Sequence, residues 1–156
     1  MATYAGNEAL LNEPMTAFLA PSRIDIRSVM PAYDWARQVA REGLTVVGGF
    51  SSRLEQDVLS YLLRGRGGIV VVLGRRMYAR IPKALQEPLR QGRLLIISTG
   101  NETGQNRRSA KRRNRYIASI AAEVVFPSLP PADSSLRPIY DDLTAQGKAV
   151  SLLVNE

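Results

Sequence analysis

Apolar residues fall in short runs separated by stretches of helical spacing. Thr16-Ala17-Phe18-Leu19-Ala20 ends at Pro21 and reads as a first strand. Val29 to Arg41 has helical spacing, with Val29, Trp35 and Val39 apolar, and Gly43 stands where a helix C-cap belongs. Leu44-Thr45-Val46-Val47 predicts a second strand that stops at Gly48-Gly49. A helix from about Arg53 to Leu63 follows, and Ser52 and Glu55 at its head have capping-box spacing. Ile69-Val70-Val71-Val72-Leu73 is the clearest strand: five apolar residues, four of them β-branched, bounded by glycine. Its lack of alternation fits a strand covered on both faces.

The same alternation continues to the end of the chain. Pro82 opens a helix that runs to about Arg90, with proline in its first turn. Leu94 to Ile97 is a strand, and a polar loop from Ser98 to Ser109 leads into another helix. Glu123 to Phe126 is a strand, Ser134 and Ser135 are cap candidates for a helix ending near Gln146-Gly147, and Ala149 to Val154 is the last strand. Residues 1–14 carry no such pattern and read as an N-terminal arm. Strand alternating with helix predicts an α/β fold. The expected form is a doubly wound, mostly parallel, six-stranded sheet with helices on both faces, in one domain over 15–156.

Composition removes several chemistries. The chain has 156 residues, enough for one domain with a real core, and 45% of them are apolar. No apolar run is long enough to span a bilayer, and the N-terminus shows neither a basic leader nor an apolar signal core. A cytoplasmic location is therefore expected. There is no cysteine and no histidine, so thiol chemistry, histidine bases and histidine-ligated metals are excluded. Glu55 reads as a capping residue and Asp141-Asp142 as surface, which leaves no carboxylate pair for acid–base work. No catalytic residue, metal or cofactor is expected.

Charge singles out one stretch. There are 21 Lys and Arg against 14 Asp and Glu, giving a net charge of +7. Arg107, Arg108, Lys111, Arg112, Arg113 and Arg115 lie within nine residues with no acid among them; removing these six leaves 15 against 14. Such a cluster repels itself and points to a polyanionic partner. Apolar residues resume at Tyr116 and Ile117, so the run opens a helix rather than ending in a tail.

In a doubly wound sheet, ligands bind at the carboxyl ends of the strands. Ser22 and Arg23, the segment from Gly48 to Arg53, the Ser98 to Arg115 loop and helix start, and Ser134 and Ser135 all fall there. Gly48-Gly49-Phe50-Ser51-Ser52 has two readings. One is a phosphate cradle in which glycines admit an anion to free N–H groups. The other is a tight turn that Ser52 and Glu55 cap. G-x-G-x-x-G spacing and a P-loop are both absent, which argues against NAD and against ATP hydrolysis.

Taken in order, Ser22-Arg23, Val46-Val47-Gly48-Gly49, Val71-Val72-Leu73-Gly74, Arg112-Arg113-Asn114-Arg115-Tyr116-Ile117-Ala118 and Ser134-Ser135-Leu136 resemble the Rossmann-like core of the DNA-processing protein A (DprA/Smf) family. The resemblance runs from about Phe18 to Leu153, and the Arg-Arg-Asn-Arg element is its most specific piece. It implies a single-stranded-DNA-binding protein of transformation and recombination that is not an enzyme, that self-associates as a dimer and that helps load a RecA-type recombinase. On this resemblance Arg112, Arg113 and Arg115 contact phosphates, with Lys111, Arg107 and Arg108 at the rim. Arg23, Ser22, Gly48, Gly49, Phe50, Ser51, Ser52, Arg53, Ser134 and Ser135 complete the pocket, and Asn114 orients the loop or touches a base edge. The chain has Pro21-Ser22-Arg23 where the family has Gly-Ser-Arg, and Ala110-Lys111 where it has Phe-Pro. The alternative is a site for a nucleotide-derived phosphate, as in related sensors and phosphoribohydrolases. The Pro-Gly-Gly-x-Gly-Thr signature of those hydrolases is absent.

Overall fold

Every apolar run named above becomes a strand or one face of a helix. The computed structural model describes residues 2–155. In chain order the elements are β1 (Thr3–Gly6), β2 (Thr16–Phe18), α1 (Val29–Glu42), β3 (Val46–Gly48), α2 (Arg53–Leu63), β4 (Ile69–Leu73), α3 (Lys83–Arg90), β5 (Leu94–Ser98), α4 (Arg107–Ile120), β6 (Glu123–Phe126), α5 (Leu136–Ala145) and β7 (Ala149–Leu152). They form one sheet in the order β1-β5-β4-β3-β2-β6-β7. Strands β2 to β7 pair in parallel, and β1 runs antiparallel to β5.

The expected six strands are thus seven, and the sheet is mixed. The added strand comes from the segment read as an arm. Thr3-Tyr4-Ala5-Gly6 pairs residue by residue with Ser98 back to Leu95, yet most of it faces solvent. Backbone pairing at a sheet edge holds it, so it needs no apolar run and leaves none to read. A 3-10 turn, Glu8–Asn12, follows it and buries Leu10 against the sheet.

The strands split the core in two. Val46, Ile69, Val71, Leu73, Leu94 and Ile96 face α1, α2 and α3. Val47, Val70, Val72, Leu95 and Ile97 face α4 and α5. All five residues of β4 are buried, one strand from the middle of the sheet, as its unbroken apolar run requires. Trp35 stacks on Phe18 with ring centroids 5.2 Å apart, a core role. Gly43 ends α1 in the left-handed region at φ 73°, which glycine adopts without a Cβ penalty. Among the described residues no helix is long and apolar enough to cross a membrane.

Candidate nucleic-acid interface

The strand order fixes where a site opens. From β2 the chain winds outward through β3, β4 and β5, then returns across the sheet to β6, beside β2. The loops leaving β2 and β6 diverge, and their divergence makes the switch-point crevice of a doubly wound sheet. A cleft of about 570 Å³ lies there. Ser22 and Arg23 line one side, Asp133, Ser134 and Ser135 another, and Arg107 and Lys111 reach in from α4. Three prolines, Pro21, Pro131 and Pro138, stiffen the rim.

Arg107 and Lys111 are four residues apart, so they share one face of α4. Both are exposed, and neither has an ion-pair or hydrogen-bond partner among the described residues. Asn106 caps the helix: its side chain accepts from Ser109 N at 2.8 Å, and Ser109 Oγ accepts from Asn106 N at 2.9 Å. The first turn holds Arg107 and Arg108 and no acid. The helix dipole is positive there and favours anions, so two arginines at that end are at odds with it. A bound phosphate would relieve the conflict. Across the cleft Arg23 donates to both oxygens of Asp133, at 2.8 and 2.7 Å. The two side chains are 74% and 71% exposed, so the pair adds little to stability and gives way readily to a competing anion.

Of the other four cations of the run, Arg108 stays in solvent and Arg112, Arg113 and Arg115 are held elsewhere. Arg113 is only 3% exposed. Its guanidinium donates to Asn114 Oδ1 at 3.1 and 2.9 Å, to Ser51 Oγ at 3.1 Å and to Gln105 Oε1 at 2.6 Å. Burial pulls its pKa below the usual arginine value, and the Glu55 charge acts the other way. Arg112 is held by Glu102, 3.1 Å to each oxygen, and that contact keeps the Glu102 carboxyl below its ordinary pKa. Arg115, one turn beyond Lys111 on the same face of α4, lies past the cleft and meets Asp142 of α5 at 2.6 Å.

The glycine turn is occupied from within. Glu55 is 2% exposed and accepts from Ser51 N at 3.0 Å, Ser52 N at 3.1 Å and Ala20 N at 2.9 Å. Ser52 Oγ accepts from Glu55 N and completes the capping box. The N–H groups of Ser51 and Ser52 are therefore spent on a carboxylate of the chain. Of the two readings of this turn, the structure has the capped one. Phe50 adopts φ 51°, unusual for a residue with a side chain, and buries its ring beneath Gly48.

No protein-family model and no curated protein matches the sequence. Solved structures do. DNA processing protein A (DprA) from Streptococcus pneumoniae matches over 96% of this chain and 54% of its own, with TM-score 0.75 and 19% identity. DNA processing protein A from Helicobacter pylori, a protein with a single-stranded DNA binding mode, matches over 96% of this chain and 80% of its own, with TM-score 0.69 and 18% identity. This chain has the fold of the DprA core. It spans about half the length of the pneumococcal protein. The Moco carrier protein of Chlamydomonas reinhardtii also matches, over 92% of this chain and 77% of its own, with TM-score 0.61 and 16% identity.

On the DprA fold, the residues read from the sequence fall into three groups. Ser22, Arg23, Arg107, Lys111, Ser134 and Ser135 line one cleft. Gly49, Ser51, Arg113 and Asn114 form a clasp beside it, with Arg113 and Asn114 buried. Arg53 and Arg115 stand apart, Arg53 90% exposed and 3.9 Å from Asp57. Arg108 is exposed at the start of α4. Asn114 is buried and orients Arg113, the first of its two expected roles. Glu102, Gln105, Asn106 and Asp133 complete the site but were not singled out in the sequence. Only Asn106 left a signal, three residues ahead of Ser109 at the head of a helix.

Proposed function

We propose that the chain is a non-enzymatic module that binds single-stranded nucleic acid, DNA above all, by its phosphates. The observation that carries this is the pair Arg107 and Lys111: two uncompensated cations at the positive end of α4, over a cleft rimmed by serine hydroxyls. Arg23 joins them once a phosphate displaces Asp133, and Arg108 extends the path outward. The likeness to DprA structures supports the same reading. A RecA-type recombinase and a second copy of the chain are the protein partners that this reading would bring, and the resemblance alone supports them. The test is the absorbance ratio at 260 and 280 nm of purified protein before and after a high-salt wash, followed by titration with labelled oligonucleotide. Co-purifying nucleic acid that salt removes, and binding indifferent to sequence, are the expected results.

A second reading places a small phosphate-bearing ligand in the same cleft. The likeness to the Moco carrier protein favours it. Competition separates the two. A mononucleotide that displaces an oligonucleotide at comparable concentration supports the small ligand, because one phosphate then does the work of several.

A further inference from the structure

A second cationic site lies at the far edge of the sheet. Helices α1 and α2 run against the strands they follow, so both end at the amino edge, opposite the cleft. Gly65 lets the two ends meet: a Cβ there would stand 2.6 Å from that of Ala40. Between them is a groove of about 690 Å³, lined by Arg37, Arg41, Arg64, Arg66 and Tyr61. The guanidinium carbons of Arg37 and Arg64 lie 5.0 and 5.7 Å from the Tyr61 ring centroid. Such stacking holds two guanidiniums beside one ring.

Arginines at helix C-termini usually cap carbonyls and offset the dipole. Here other groups cap. Gly43 N bonds to Val39 O at the end of α1. Arg93 donates to Leu62 O and Gly67 O, both at 3.1 Å, past the end of α2. Asp34 holds Arg37 at 2.7 Å, and Glu42 accepts from Gln38 at 3.2 Å. Arg41, Arg64 and Arg66 are all exposed and, among the described residues, none makes a hydrogen bond or ion pair. Three guanidiniums without an ion pair, one of them stacked on a tyrosine, in an open groove suit a run of phosphates better than one enclosed anion. The guanidinium edge matches phosphate oxygens two at a time, and aromatic rings among cations are the pattern of single-strand tracks.

We propose that this groove is a second binding site for a nucleic-acid backbone, so that one chain holds two strands, or two segments of one strand, at opposite edges of the sheet. The nature of the ligand rests on the reading given for the cleft; the position of the groove does not.

The experiment is a low-salt titration with a labelled eight-nucleotide thymidine strand, read as strands bound per chain. Two are expected for the native protein. One is expected for Arg41→Ala/Arg64→Ala/Arg66→Ala, one for Arg107→Ala/Lys111→Ala, and none when both sets are combined. The strand lost with the triple variant should be the one whose binding in the native protein carries a salt slope of about −2, three contacts' worth. Its melting temperature should change little, since the three arginines have no hydrogen bond or ion pair to lose and Arg64 gives up only an exposed stacking on Tyr61. Two strands still bound by the triple variant would overturn the groove. So would one strand bound by the native protein and lost only with Arg107 and Lys111. All binding lost with the triple variant, and none with the cleft pair, would uphold the groove and overturn the cleft. Displacement of the strand from the groove by polyglutamate of equal charge at lower concentration would make the ligand an acidic protein and overturn the nucleic-acid assignment.

Discussion

Arg113 lies so close to Gly49 that a Cβ built on the glycine would stand 2.6 Å from the guanidinium carbon. The turn after β3 and the first half of α4 are locked by this approach. Arg113 reaches across to Ser51 and Gln105, and Asn114 holds it from behind. Replacing it with alanine would leave the buried Asn114 Oδ1 unmet and empty the space that the buried guanidinium fills. We expect Arg113→Ala to cost roughly 2–4 kcal/mol, since each orphaned buried group costs about 1–3. For a chain of this size that lowers the melting temperature by about 5–15 °C. Gly49→Ala should fall in the same direction, because the added methyl evicts the guanidinium. A melting temperature unchanged by Arg113→Ala, with nucleic-acid affinity lost, would make Arg113 a direct contact instead.

Glu55 is the matching lock on the other side of the turn. Its carboxylate serves three backbone N–H groups from two segments, Ala20 after β2 and Ser51-Ser52 before α2. Glu55→Gln keeps one acceptor oxygen and turns an NH₂ group towards a donor. The expected cost is about 1–3 kcal/mol, seen in thermal melts. Hydrolysis of nucleotides should be absent both before and after the change, because the carboxylate is buried in structural bonds. A nucleoside monophosphatase activity that vanishes in this variant would contradict the non-enzymatic reading.

Glu102 sets the pH behaviour of the rim. The hydrogen bond from Arg112 holds its carboxyl below the ordinary value. A group depressed in the fold stabilises above its unfolded value and loses that contribution as pH falls through the folded one. The pair therefore stays closed at neutral and mildly acidic pH, and it opens only below the ordinary glutamate value of about 4.3. With no histidine in the chain, affinity at fixed ionic strength should be nearly flat from pH 6 to 8. Glu102→Gln frees Arg112 at all pH and should raise affinity by about two- to fivefold, the scale of one exposed ion pair. Fluorescence anisotropy at matched salt reads both; a fall in affinity would mean that the pair itself shapes the site.

The sequence was most legible where burial sets the pattern. Ile69–Leu73 could be bounded to the residue, because a run covered on both faces admits no polar position, and the start of Arg53–Leu63 was marked by its capping box. β1 could not be seen, because an exposed edge strand is held by its backbone. The site shows the same division. Six basic residues in nine raised the expectation of a polyanion site, but charge alone does not say which way a helix turns its residues. Helical spacing puts Arg107, Lys111 and Arg115 on one face and turns Arg113 inward; position along the helix then leaves Arg107 and Lys111 over the cleft and Arg115 against Asp142 of α5. The partners that decide the matter, Glu102, Asp133 and Asp142, come from distant loops and helices that only the fold brings near.

Arg107 and Lys111 carry the sharpest test of the cleft. Each cation that meets a phosphate of a single strand contributes about −0.7 to the slope of log affinity against log salt. Arg107→Ala/Lys111→Ala should therefore flatten the slope by about 1.4 and weaken binding alike for unrelated sequences, since phosphate contacts carry no sequence information. The melting temperature without nucleic acid should hold or rise slightly. Neither residue has a partner among the described residues, and removing Arg107 takes a positive charge from the positive end of α4. Arg112→Ala/Arg113→Ala makes the contrast. It removes the same formal charge but breaks the clasp at Gly49, so it should lower the melting temperature while changing the slope less. Salt titrations of oligonucleotide binding for the two double variants, paired with thermal melts, separate contact from support. Equal slopes in the native protein and Arg107→Ala/Lys111→Ala would remove the cleft from the path of the strand.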